Sequence, residues 1–155
     1  MKKVIALLTF VFAVAMVACQ DQHSMDSDSS NQFLETIARN PAYKAYKEAS
    51  REIQLNIALG SFDLHALTDV GVKYPQYQTA CDMPKEIFTG IKGGFLYQEL
   101  ECKLTKVAEN LKKETPEYFS LNSEQMHQVS KNYDRIEGID WANTIKNALI
   151  QRNKN

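Results

Sequence analysis

From about Gln32 onward the apolar residues recur at steps of three and four, the period of one helical face. Phe33, Leu34, Ile37 and Ala38 make a short first face. Asn40-Pro41 then predicts a restart, with Asn40 as N-cap and Pro41 at the first helical position. Tyr43, Tyr46, Ser50, Ile53 and Ile57 continue the stripe, Leu55 and Leu59 broaden it, and Gly60 marks its end. Ser61 is placed to cap a helix bearing Phe62, Ala66, Leu67 and Val70, which Pro75 ends near Lys73. After a connector over 74–83, Pro84 opens a short helix over 85–89, and Gly90-Ile91-Lys92-Gly93-Gly94 interrupts the chain.

Residues 95–113 carry the clearest helical signal, with Leu96, Leu100, Leu104, Val107 and Leu111 on one stripe and Thr115-Pro116 as the stop. Asn122 or Ser123 caps the next helix, with Gln125 or Gln128 placed to complete a capping box. Its face is Met126, Val129, Ser130 and Tyr133. Gly138 breaks the chain again, and Asp140 caps a last helix with Trp141, Ile145, Ala148 and Leu149 inward. No strand-like alternation persists and no repeat of fixed period occurs. The pattern predicts an all-α protein, a compact bundle of five or six helices over 32–155.

The first 18 residues follow a different rule. Lys2 and Lys3 precede an apolar run from Val4 to Val14, broken only by Thr9, and small residues follow. This is the layout of an export signal, too short for an ordinary membrane span. It ends in Met16-Val17-Ala18-Cys19, which resembles the lipobox of bacterial lipoproteins, although that family usually has Leu where Met16 stands. The resemblance implies cleavage before Cys19, a diacylglycerol on its thiol and a fatty acyl group such as palmitate on the new amino terminus. Several acyl chains anchor far more firmly than one. Gln20 stands where an aspartate would resemble an inner-membrane retention signal, so the resemblance points to a lipid anchor in the cell envelope, at the outer membrane. Residues 19–31 hold one large apolar residue, Met25, and read as a flexible tether.

Composition narrows the partners. The chain has 155 residues and a formal net charge of −1, which turns more acidic once Lys2 and Lys3 are removed. With no basic excess, nucleic acid is not an expected partner. Cys81 and Cys102 remain for the exported domain, where the compartment permits a disulfide. At 100° per residue, Cys102 falls about 160° from the centre of the leucine stripe on its helix. Either Cys102 packs under a second layer as a free thiol, or it bonds to Cys81. The bond is the expectation, and would contribute roughly 3 kcal/mol.

No motif for catalysis stands out, so no catalytic residue, cofactor or metal is expected. Glu124 and His127 share a helical face, but a di-iron bundle needs two such units and further carboxylates. His65 and Asp69 are one turn apart, and a closed zinc site needs about four ligands. The 90–94 turn lacks the Lys-Ser/Thr of a phosphate-binding loop. Tyr74 and Tyr77 flank Pro75 in the connector, and rigid loop aromatics make good contact anchors. Together with Lys92 they are the expected partner-contact residues. The expected function is that of a lipid-anchored envelope binding module acting by protein–protein contact, not an enzyme. Its layout is similar to that of immunity proteins for type VI amidase effectors, which makes an inhibitor or immunity-type protein the specific version. A small-ligand or glycan carrier is the alternative, and an envelope enzyme of unknown chemistry a second one.

Overall fold

A computed structural model of the chain describes residues 27–154. The expected export signal, Cys19 and the expected tether up to residue 26 lie outside the described residues. The described residues form six α-helices: α1 (Ser27–Arg39), α2 (Pro41–Ala58), α3 (Leu64–Lys73), α4 (Gly94–Glu114), α5 (Ser123–Glu137) and α6 (Trp141–Arg152). Short 3₁₀ turns occupy Ala80–Asp82, Lys85–Phe88 and Pro116–Ser120. There is no strand among them, and no helix is long and apolar enough to cross a membrane.

Two apolar clusters fill the bundle. Leu34 and Ile37 of α1, Tyr43 of α2, Leu111 of α4, Tyr118, and Val129 and Tyr133 of α5 form the first. The Tyr43 ring lies 5.2 Å from Tyr118 and 5.9 Å from Tyr133, within the range of favourable aromatic contacts. Ile53 of α2, Leu67 and Val70 of α3, Leu100 of α4, and Phe62, Met83 and Phe88 from the connecting segments form the second. Helices α2 and α4 therefore run through both, with α1 and α5 flanking one end and α3 with the connector covering the other.

The local rules read from the sequence explain most helix ends. Asn40 Oδ1 accepts from the Ala42 amide at 2.8 Å, and Pro41 follows it. Asn122 and Gln125 form the reciprocal capping box, at 2.9 and 3.0 Å. Gly138 ends α5 in the left-handed conformation, and Asp140 caps α6. The chain turns back within a few residues at each of these points.

Four expectations need correction. Helix α1 starts at Ser27, so residues 27–31 are helical rather than tether. Once Leu34, Ile37 and Ala38 are packed, adding a polar turn needs no apolar face of its own. The cap of α3 is Asp63, whose Oδ1 accepts from Ala66 at 3.0 Å, and not Ser61. The Ser61 amide already donates to the Asn56 carbonyl at 2.9 Å, closing the end of α2, which leaves Phe62 as a buried residue ahead of α3. Leu149 is 44 % exposed, because α6 rests on α2 along a narrow strip through Trp141, Ile145 and Ala148. Leu96 is exposed too, while its neighbour Gln98 is buried.

Gln98 explains the other side of α4. Its Nε2 donates to the carbonyls of Ala80 (3.0 Å) and Met83 (2.7 Å). One turn further on, Cys102 is bonded to Cys81, with the two Cα atoms 4.9 Å apart. The face opposite the leucine stripe is thus a docking face for the 80–83 turn, fixed by two hydrogen bonds and a covalent tie.

The 90–94 turn fits α4 against the start of α3. Gly93 has φ +69°, and a Cβ there would lie 2.3 Å from the Ser61 carbonyl oxygen. Gly90 also has positive φ, at +81°, but faces open space. Gly90→Ala is expected to cost about 1–2 kcal/mol from backbone conformation alone, and Gly93→Ala roughly twice that once overpacking is added. Urea unfolding of the two variants side by side checks the difference, and equal costs would contradict the close approach.

Candidate binding site

Arg51 lies on α2 outside the apolar stripe, yet its side chain is only 7 % exposed. Its Nη2 donates to Oδ1 of Asp134 on α5. The guanidinium carbon sits 5.2 Å from the Tyr133 ring and 4.8 Å from the Trp141 ring, over their faces. Such contacts are worth about 0.5–2 kcal/mol each, more where water is excluded. Nε and Nη1 are buried and have no hydrogen-bond partner. A buried donor left unmade costs about 1–3 kcal/mol, so this arrangement is not the one that maximises stability.

The turn after α5 builds the site. Asp134 holds Arg51 with its side chain and accepts the Ile139 amide at 2.9 Å with its carbonyl. Gly138 reverses the chain, and Asp140 accepts from Asn143 at 3.0 Å to start α6. Trp141, the first residue of α6, is thereby folded back over Arg51. Beside these groups opens a cleft of about 270 Å³, walled by Glu48, Glu52 and Leu55 of α2 and by Glu137 and Ile139.

Its charges are unevenly matched. Lys44 Nζ meets Glu137 at 2.7 Å, and Lys103 meets Glu52 at 2.7 Å. Glu48 makes no ion pair among the described residues, and neither does Lys47, one turn before Arg51. Burial holds Lys47 below the ordinary lysine value, with the Arg51 charge adding to the effect and Asp134 opposing it. Asp134 thus pairs with the buried Arg51, while the half-buried Lys47 beside it has no carboxylate of its own among the described residues.

The residues expected from the sequence are distributed otherwise. Tyr74 and Tyr77 are half-buried and pack against the second apolar cluster. Lys92 is exposed and borders a larger cleft of about 620 Å³, with Leu59, Leu64 and Arg152 among its walls and neither tyrosine in it. Glu124 and His127 are both exposed. His65 Nδ1 lies 3.3 Å from Asp69 Oδ2 on the surface. Among the described residues no group of three or more metal-binding side chains occurs.

Sequence reasoning missed Arg51 and Asp134; it placed Trp141 inward, but not as a cover over a charge. Lys47 and Arg51 are one turn apart and both cationic, and spacing alone gives no sign that either is covered. The available signal was Trp141 itself, an aromatic placed directly behind a Gly-Ile-Asp turn. A second half-buried carboxylate, Glu101, lies on α4 one turn after Tyr97. Burial pushes the Glu101 carboxyl up, and Tyr97 only partly offsets this.

No family model, curated protein or solved structure matches the chain.

Breaking one half of the Arg51–Asp134 pair should cost more than removing both. Asp134→Ala is expected to lower stability by about 3 kcal/mol, by leaving the buried charge without its carboxylate, whereas Arg51→Met with Asp134→Leu recovers most of that loss. Chemical denaturation of the two variants checks the order. Glu101 gives a pH test. A folded-state value raised above the ordinary 4.5 means that the fold favours the protonated acid, so its stabilising effect is complete below that value and disappears as pH rises through the folded value. Glu101→Gln should therefore melt higher than the parent at pH 7, with the gap closing toward pH 4.5.

Proposed function

We propose that this chain is a lipid-anchored binding module of the cell envelope, acting by protein–protein contact and not by catalysis. The observation that carries the reading is the Arg51 cleft. Arginine, tyrosine and tryptophan are the residues most enriched where binding energy concentrates, in recesses shielded from water, and Arg51, Tyr133 and Trp141 converge in one such recess. The export signal and lipobox-like Met16–Cys19 sequence support the envelope address. A tether on a lipid raises the local concentration of the domain near partners at the same membrane. An inhibitor or immunity-type protein is the specific form of this function. The 620 Å³ cleft beside Lys92 favours a second reading, a carrier of a small anionic ligand or glycan.

The test is capture from envelope extract with the tagged domain, its Trp141→Ala variant and a Tyr74→Ala/Tyr77→Ala variant, each checked for helicity. One stoichiometric partner, retained by the tyrosine variant and lost with Trp141→Ala, is the expected result. Absence of any partner from the parent protein would refute the contact function. In cells, Cys19→Ala should release the protein from the membrane fraction and abolish palmitate labelling. Unchanged fractionation would refute the lipid anchor.

A further inference from the structure

We propose that the Arg51 recess receives a carboxylate, an Asp or Glu side chain of the partner seated beneath the Trp141 ring. The proposal rests on reading this cleft as the contact surface. The guanidinium is more than nine-tenths buried, and two of its three nitrogens have no acceptor. Asp134 occupies only Nη2. No neighbouring carboxylate meets these nitrogens: Glu137 is held by Lys44, Glu52 by Lys103, and Glu48 makes no ion pair among the described residues. Among the described residues, Asp134 is the one carboxylate that pairs with Arg51. Arginine favours carboxylates by both charge and geometry.

The access route is also built in. Trp141 is the first residue of α6, which packs mainly on α2 and buries little besides Ala148. A swing of the indole would make room for a carboxylate in the guanidinium plane, beside Nε and Nη1. Glu48 stands unpaired at the same cleft and would repel a bare acid. The complementary segment therefore carries a base beside its acid, the base meeting Glu48 and the acid meeting Arg51.

Trp141 is the only tryptophan of the chain, so its fluorescence reports on this recess directly. The probes are the blocked dipeptides acetyl-Lys-Glu-amide and acetyl-Lys-Gln-amide and inorganic phosphate, titrated into the domain that starts at residue 27. That domain is first checked for a cooperative thermal transition, with the chain from residue 20 used in its place otherwise. The expected result is a saturable fluorescence change with the glutamate peptide at millimolar concentration and at least ten-fold weaker response to the glutamine peptide. Arg51→Lys, which keeps the charge but loses the planar fork, should abolish the difference. Equal response to both peptides would overturn the proposal in favour of a cation site at Glu48. An equal response to phosphate would overturn it in favour of a general anion site, and a flat signal with both the parent and Glu48→Gln would also refute it. Envelope capture that still depends on Trp141 in those cases leaves the contact function standing without the carboxylate.

Discussion

Everything in this fold leans on the packing of α2 against α4. The two helices supply residues to both apolar clusters, Tyr43 with Leu111 at one end and Ile53 with Leu100 at the other. Each remaining element needs one of them as a wall. α1 and α5 close over Tyr43 and Leu111, α3 and the connector over Ile53 and Leu100, and α6 rests on the outer side of α2. A small domain hides only part of its unfolded surface, and sharing two long helices between both clusters lets each cluster borrow apolar area from the other.

The same economy explains where the polar interior lies. α2 must face α4 on one side and α5 and α6 on others, so its circumference cannot be divided simply into an apolar and a wet half. Arg51 falls on the side where α5 and α6 approach, and it is tolerated there because Asp134 meets one nitrogen and two rings meet its faces. Burial of a charge on such terms is poor evidence of stability and better evidence of a specific arrangement. Gln98 is the contrasting case. It is equally hidden, but its amide spans two carbonyls and leaves the turn before α4 fixed.

The fold class, the caps at Asn40, Asn122 and Asp140 and the Cys81–Cys102 bond were legible because each depends on neighbours within a turn or on a helical angle. Ser61 was misread because the chain spends it on closing α2, and the capping oxygen comes from Asp63 two residues on, a choice that local spacing does not reveal. Leu149 and Leu96 were misread because an apolar stripe says which side of a helix prefers burial, not how wide the neighbour is. The candidate site was the least legible part. Arg51, Asp134 and Trp141 come from three helices, and only the reversal at Gly138 brings them together. Tyr74 and Tyr77 looked like free anchors because a connector reads as surface, and packing against the second cluster uses much of their area.

The position of the disulfide has a mechanical consequence. It ties α4 to the 80–83 turn, on the side of the second cluster, whereas α1 is held by packing and by ion pairs such as Arg135 to Glu35 at 2.9 Å. A pull applied from the N-terminal side enters the domain through α1, far along the chain from any covalent link. Under tension α1 peels first and spends its own contacts as slack, while the cross-linked half keeps its shape. The domain is therefore graded along its length, with a yielding end at α1 and a stiff end at the cross-link.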